Sequence, residues 1–448
     1  MTGPTHLPNE TLSVIINQLD GDLKTLEACR LASYTLCSLA TPLRFSSMHF
    51  STRNVTSETA VKWNQILSNN DIAGSVRTLT IRSGHKTHEF QDSTTGSIIA
   101  KILHRLPHIQ NFTLRASNYC YFNTISEDLG LAIRALFRSP NLKNVDLSHL
   151  LDFPLTLITT CPNLRNLSTA GVSFSVTHLP FFNFLQRPTP LFQDNEVDDT
   201  SNVQGSYLDS LDLWSESLKS LGACVRNHRS FAEKFSRLNK IKIDDANLSY
   251  PRLLTYDLDI LLLASQSLTT LAIHTTCDGT FHLDPCIVSY ICIRSTHYKM
   301  LGEDSQLAGG RYHLSRFPNL QHLEIQLAVY SGDNNLFPFL NQLLSISSPT
   351  SLLETLTIMI HCLCEQSGDL HALLSPNSGW STLEETLTSN KFISLRQVSF
   401  KFYTYTIGPQ LELELRRSLA RPYINALFPM LRALSNTQGT LEIDIQIG

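Results

Sequence analysis

The chain has 448 residues, 42% of them hydrophobic and 17% charged, with a formal net charge of −4. That length allows two or three ordinary domains or one long repeat array. The balance leaves no basic footprint for nucleic acid, and no run approaches the roughly 18 apolar residues of a membrane helix.

Residues 7–50 read as three short helices. Leu7-Pro8-Asn9-Glu10 looks like a helix start, with Asn9 as the N-cap. Leu12, Ile15, Ile16 and Leu19 follow at helical spacing and leave one apolar face. Asp20-Gly21-Asp22 breaks the helix, and Asp22 is placed to cap the next, which carries Leu23, Leu26 and Leu31. A third segment, residues 34–40, ends near Pro42. Helices this short cannot bury all their apolar surface against one another. Some of it must dock on the following chain or on a partner.

These residues resemble an F-box. Leu7, Pro8 and Glu10 match its opening, Ile15, Ile16 and Leu19 its first helix, and Asp22-Leu23 its second. Leu31-Ala32-Ser33 stands where Leu-Val-Ser is usual, and Pro42-Leu43-Arg44-Phe45 matches the closing Pro-x-x-Phe. The resemblance implies docking on a Skp-type adaptor of a cullin-RING ubiquitin ligase. By the same resemblance Leu7, Pro8, Ile15, Ile16, Leu19 and Leu23 would contact that adaptor.

From residue 76 onward one pattern returns: apolar, two residues, apolar, one residue, apolar. It appears as Val76/Leu79/Ile81, Ile109/Phe112/Leu114, Leu142/Val145/Leu147 and Leu164/Leu167/Thr169. It continues as Leu208/Leu211/Leu213, Leu238/Ile241/Ile243 and Leu268/Leu271/Ile273. The last copies are Leu320/Leu323/Ile325, Leu353/Leu356/Ile358 and Leu395/Val398/Phe400. A weak copy near Ile287, Tyr290 and Cys292 would fall in the longest gap. This is the Leu-x-x-Leu-x-Leu core of leucine-rich repeats. Several copies carry a Pro-Asn-Leu prefix, in which the proline ends the preceding helix. The alternating positions of these segments are independent of the triplet pattern. Of thirty such residues only Ala170, Trp214, Ala272 and Met359 are apolar. A strand buried on both faces would be apolar on both, so one face should be solvated.

Segments 95–106 and 127–137 read as helices between strands, and residues 441–447 as a closing strand. The expected fold is therefore α/β: a leucine-rich-repeat solenoid, or horseshoe, over residues 51–448, preceded by a three-helix module over residues 1–50. Polar stretches near 187–206 and 301–312 read as inserted loops. The array resembles the irregular, long repeats of F-box proteins.

Motifs of catalysis are missing from the sequence: there is no Gly-x-Ser-x-Gly, Walker loop, dinucleotide fingerprint or His-Glu-x-x-His. His361-Cys362-Leu363-Cys364 lacks the second ligand pair that structural zinc needs. Neither Cys286 with Cys292, His85 with His88, nor the acidic run 194–199 makes a stronger case. No cofactor is expected. The scattered cysteines, such as Cys29 inside an apolar run, fit reduced thiols of a cytoplasmic or nuclear protein. The resemblance implies a non-catalytic substrate receptor, binding an unknown protein substrate on the concave face. Candidate contacts there are Arg82 and Arg115, equivalent positions in successive copies, with Trp214, Lys240 and Lys242. The basic pair suits an acidic or phosphorylated segment. Trp214 is either an interface anchor or packs under the preceding loop. The alternative is a repeat scaffold or regulator, for instance of a small GTPase, with a helical cap and no ligase role.

Overall fold

A computed structural model describes residues 7–54, 57–84, 89–175, 207–227, 229–245, 264, 266–275, 317–330, 340, 344, 352–364, 379–389, 391–406, 428–431 and 442–447. The readings near 187–206 and 301–312, the weak copy at Ile287, Tyr290 and Cys292, and Cys286, His85, His88 and the run 194–199 all lie outside the described residues.

Three helices open the chain: α1 (Asn9–Asn17), α2 (Leu23–Ala32) and α3 (Tyr34–Arg44). The cap of α1 lies one residue earlier than expected. Pro8 is the cap residue, its carbonyl accepting from the Leu12 N–H at 3.0 Å, and Asn9 is already helical. Asp22 does cap α2. Its carboxylate accepts from the Thr25 hydroxyl at 2.6 Å and the Thr25 N–H at 3.1 Å. Those bonds hold Asp22 below the ordinary carboxylate range. Helix α3 runs through Pro42 to Arg44 rather than stopping there. A proline removes one helical donor, and the turn around it closes by other means. The Thr41 hydroxyl donates to the Cys37 carbonyl at 2.7 Å, and the Phe45 N–H to the Thr41 carbonyl at 3.1 Å. Ile16, Leu26 and Ala40 form the buried centre of the three helices, with Leu19, Cys29, Leu36, Leu39 and Leu43 partly covered around it. Glu27 bridges to Arg30 within α2 at 2.8 Å and ties α2 to α3 through Arg44 at 3.5 Å. Both guanidinium groups sit over the Phe45 ring, 5.0 and 5.6 Å from its centroid.

The chain divides into two compact units, residues 1–208 and 209–448. After the helices, the first unit continues through β1 (Ser47–Ser51), α4 (Ser57–Leu67), α5 (Asn70–Ser75), β2 (Thr78–Arg82) and α6 (Ser93–His104). It goes on through β3 (Asn111–Tyr121), α7 (Glu127–Phe137), β4 (Asn144–Leu151), β5 (Phe153–Pro154), α8 (Leu155–Thr160), β6 (Asn166–Ala170) and β7 (Phe174–Ser175). Strands β1, β2, β3, β4 and β6 lie side by side in chain order, each parallel to its neighbours. Strands β5 and β7 form a separate parallel pair. The second unit contains β8 (Ser210–Trp214), α9 (Ser215–Asn227), α10 (Arg229–Phe235), β9 (Lys240–Asp245) and β10 (Thr270–Thr275). Then come β11 (His322–Tyr330), β12 (Thr355–Cys364), α11 (Trp380–Thr388), β13 (Gln397–Thr406) and β14 (Glu442–Ile447). Here too the strands are parallel and in chain order. The fold is thus mixed α/β, with parallel strands and helices between many of them.

The triplets set the register. Leu79, Phe112, Val145 and Leu167 are aligned partners across the first unit. Leu211, Ile241, Leu271, Leu323, Leu356 and Val398 are aligned across the second. Every triplet side chain is buried except the half-buried Ile273. Strand β1 is the unexpected member. It falls inside the stretch read as purely helical, yet Met48 and Phe50 pair with Leu79 and Ile81. Phe45, Met48 and Phe50 have the triplet spacing, so the third helix runs directly into a first copy.

Most of the long strands begin with the same connection. Two successive N–H groups share one carbonyl of the preceding strand's entry. Gln110 and Asn111 bond to Arg77, Lys143 and Asn144 to Gln110, Thr269 and Thr270 to Asn239, and Gln321 and His322 to Thr269. The Pro-Asn-Leu prefix adds a side-chain clamp. Asn141 Nδ2 donates to the Pro107 carbonyl at 3.1 Å, Asn163 to Pro140 at 2.7 Å and Asn319 to Gln266 at 2.6 Å. Each of these asparagines reaches the residue two before the first triplet member of the previous copy.

Candidate protein-binding faces

Four of the six residues that the F-box resemblance assigns to adaptor contact are open on the surface of this chain. Leu7, Pro8, Ile15 and Leu23 are exposed, and Leu19 is half-buried. Ile16 is buried at 3% exposure, packed into the three-helix core, so its role is internal. Val14, Leu31 and Tyr34 are further large apolar side chains left exposed here. Residues 31–35, at the junction of α2 and α3, are exposed throughout.

In the first unit the polar face is laid out in rows. One row is a hydrogen-bonded ladder: Asn111 Nδ2 donates to Thr78 Oγ1 at 2.9 Å, Asn144 to Asn111, and Asn166 to Asn144. Arg82 and Arg115 are direct register partners, as their equivalent positions predict. Their guanidinium groups do not form a simple basic pair, because Arg115 Nη2 is 2.5 Å from Asp146 Oδ2 on β4. Such a part-exposed bridge contributes about 0.2–1 kcal/mol, so a competing anion could draw Arg115 away. Beyond Arg115 the same face carries Tyr119 and Tyr121, both about half exposed. The Tyr119 ring stands edge-on to His149 at 5.4 Å. His149 has a left-handed backbone (φ 56°), and its Nδ1 lies 2.9 Å from the Ala116 carbonyl.

In the second unit the polar face is ionic. Lys242 Nζ is 2.6 Å from Asp244 Oδ2 and 3.9 Å from Asp212 Oδ2. His274 lies between two carboxylates, with Nδ1 3.2 Å from Asp244 Oδ1 and Nε2 2.7 Å from Glu324 Oε1. These last two are ion-pair contacts rather than aligned hydrogen bonds. Asp244, then burial acting the other way, then the Glu324 charge leave the His274 imidazole above its ordinary value. Burial would raise Asp244, but His274 and Lys242 outweigh it and hold the carboxyl below its usual range. Burial likewise opposes the charge on Lys242, and Asp244 with Asp212 and Glu324 overcomes it. Further along, burial and the His274 charge depress His361, whose ring stacks on Tyr403 at 4.8 Å. Trp214 is half-buried and in register with Asp244. Lys240 is exposed between Ser210 and Thr270.

Lys242 therefore points into a charged network instead of standing ready as a cation. The reading of single strands missed Asp212, Asp244, His274 and Glu324. Aligning the alternating positions of successive triplets would have found them, since Asp212/Lys242/Ala272/Glu324 and Trp214/Asp244/His274 are the resulting rows. Most residues of the polar face are half-buried rather than freely solvated. Strands about 4.8 Å apart make each side chain shield its neighbour.

Among the described residues no group of three or more His, Cys, Asp or Glu side chains is placed to hold a metal ion, and no helix is long and apolar enough to cross a membrane. No protein-family model matches the sequence. No curated protein matches it either. Among solved structures, a crystal structure of a Bacteroides fragilis protein aligns over 89% of this chain and 73% of that one. The identity is 13% and the TM-score 0.28.

Proposed function

We propose that this chain is a non-catalytic substrate receptor of a cullin-RING ubiquitin ligase. Its N-terminal helices dock as an F-box on a Skp-type adaptor. Its parallel strands are leucine-rich repeats whose polar face holds a protein substrate. Catalysis by such a subunit is proximity, a target held near transfer machinery supplied by other chains.

The observation that carries the reading is the exposure of Leu7, Pro8, Ile15 and Leu23. These residues match the F-box pattern, and they lie on or just before helices whose own buried centre is Ile16, Leu26 and Ala40. Apolar side chains left open beside so small a core favour a partner surface. The repeat reading is supported by chain-order parallel strands with the triplets in register.

The test is co-expression of the full chain with a Skp-type adaptor, followed by a pull-down. Wild type should capture the adaptor. Leu7→Ala/Pro8→Ala and Ile15→Ala/Leu23→Ala should each weaken capture at least about tenfold, roughly 1.4 kcal/mol, with unchanged thermal unfolding. If wild type captures nothing, or neither variant matters, the helices are a cap on the repeats and the ligase reading falls.

A further inference from the structure

One side chain joins three strands of the second unit. His274 is on β10, in register with Asp244 on β9. Its Nδ1 is 3.2 Å from Asp244 Oδ1, and its Nε2 is 2.7 Å from Glu324 Oε1 on β11. Both ring nitrogens thus face carboxylate oxygen. A neutral imidazole has one N–H and one lone pair, and only the imidazolium carries a proton on both nitrogens. Whichever tautomer the neutral ring takes, a lone pair meets a carboxylate at one of the two contacts. The geometry therefore favours the imidazolium. The first unit joins its strands differently, through a ladder of Thr78, Asn111, Asn144 and Asn166, whose amide and hydroxyl groups do not titrate near neutral pH.

Charged and titratable groups reach His274 from each neighbouring strand. Strand β9 supplies Asp244 and Lys242, β8 supplies Asp212 behind Lys242, β11 supplies Glu324, and β12 supplies His361. The carboxylates favour its proton, whereas Lys242 and His361 oppose it. The two carboxylates in contact with the ring are not equally free. Asp244 is only 9% exposed and keeps Lys242 at 2.6 Å. The Glu324 side chain is 40% exposed, so it can turn toward water. Loss of the imidazolium proton should therefore release Glu324 and leave Asp244 in place.

We propose that His274 is a pH-sensitive clamp on the polar face of the second unit. Protonated, it ties β10 to both β9 and β11; neutral, it keeps Asp244 and lets Glu324 go. Asp244 raises the imidazole most, burial acts the other way, and the Glu324 charge adds to the rise. A group whose folded value lies above its unfolded one stabilises fully below the unfolded value, and that stability is lost as pH rises through the folded value. Burial and the His274 charge depress His361, so folded or unfolded it titrates at or below about pH 6.5. Asp244, held low, and Lys242, held high, keep their charges above that pH. From about pH 6.5 to about pH 8, His274 is thus the member of the cluster that changes charge. The clamp stands on contacts within the second unit and does not depend on adaptor docking by the N-terminal helices.

The experiment follows backbone hydrogen exchange of the full chain by mass spectrometry at about pH 6.5 and about pH 8, with intrinsic exchange rates divided out. Peptides spanning β10 and β11 should lose protection several-fold at the higher pH, relative to peptides spanning β3 and β4 in the first unit. Strand β9, still joined through Asp244, should lose less. His274→Gln should abolish the step. Glu324→Gln should abolish it as well, because its amide can donate to the lone pair of the neutral ring. Glu442→Gln, on β14, should keep the step. An equal change in both groups of peptides overturns the proposal, as does a step that survives in His274→Gln or in Glu324→Gln. Should one variant fail to fold, the wild-type comparison and the other variant still decide the matter.

Discussion

At the scale of single residues, neighbours of like chemistry take opposite roles. Ile15 is 47% exposed and Ile16 is 3% exposed. One step along a helix turns the side chain by about 100°, and the placement of α2 and α3 decides which isoleucine they cover. Both belong to the same apolar stripe in the sequence, so the stripe is legible and the choice between them is not. Gly96 is a second case. It lies inside α6, where glycine costs about 1 kcal/mol relative to alanine. A Cβ there would collide with Ser126 Oγ and lie 2.6 Å from Ser126 Cβ, so α6 and the start of α7 pack through the missing side chain. Gly96→Ala should destabilise the chain by about 1–3 kcal/mol, the usual cost of overpacking, despite its better helix propensity. Thermal unfolding would measure it. Adding Ser126→Gly should recover much of the loss, which a purely conformational effect of the alanine would not allow.

At the scale of elements, the strands chosen from the triplets were all legible because the pattern records burial directly. Each triplet position faces the core, and alternate positions of the strand share a face. What stayed illegible has physical causes. Strand β1 and its lead-in carry Phe45, Met48 and Phe50 in place of leucines, close behind a helix. Strands β5 and β7 contribute two residues each, too few to show a period. The end of β3 shifts register between Arg115 and Cys120, so Tyr119 and Tyr121 lie beyond the simple count. The Pro-Asn-Leu prefix was legible as a motif, but only half of its purpose was. Proline stops the previous helix, whereas the asparagine amide ties each copy to the one before it. Removing one such side chain–backbone bond costs about 0.5–1.5 kcal/mol. Asn141→Ala and Asn163→Ala should each lower unfolding free energy in denaturant by that amount. The sites are in adjacent copies, so the double variant tests whether the clamps act singly or together. An unchanged midpoint in either single variant would reduce that clamp to an incidental contact.

At the scale of the whole molecule, the balance of open apolar surface matters most. The chain is modestly charged, at 17%, and its N-terminal helices expose Leu7, Val14, Ile15, Leu23, Leu31 and Tyr34. Leu31 and Tyr34 are the most open, at 82% and 91%. Large apolar side chains grouped on one small module are uncommon on a chain that works alone, because water disfavours them and they find each other in concentrated solution. Added acidic residues counter such association more effectively than added basic ones. The isolated chain should therefore self-associate through this module. Leu31→Glu with Tyr34→Glu should shift its sedimentation toward the monomer without changing thermal unfolding, since neither side chain contributes to the core. Co-expression with a Skp-type adaptor should produce the same shift in the wild type by covering the same surface. A wild-type chain that is monomeric at high concentration would mean that these side chains carry no drive to associate, and the case for a docking surface would lose its physical basis along with the solubility argument.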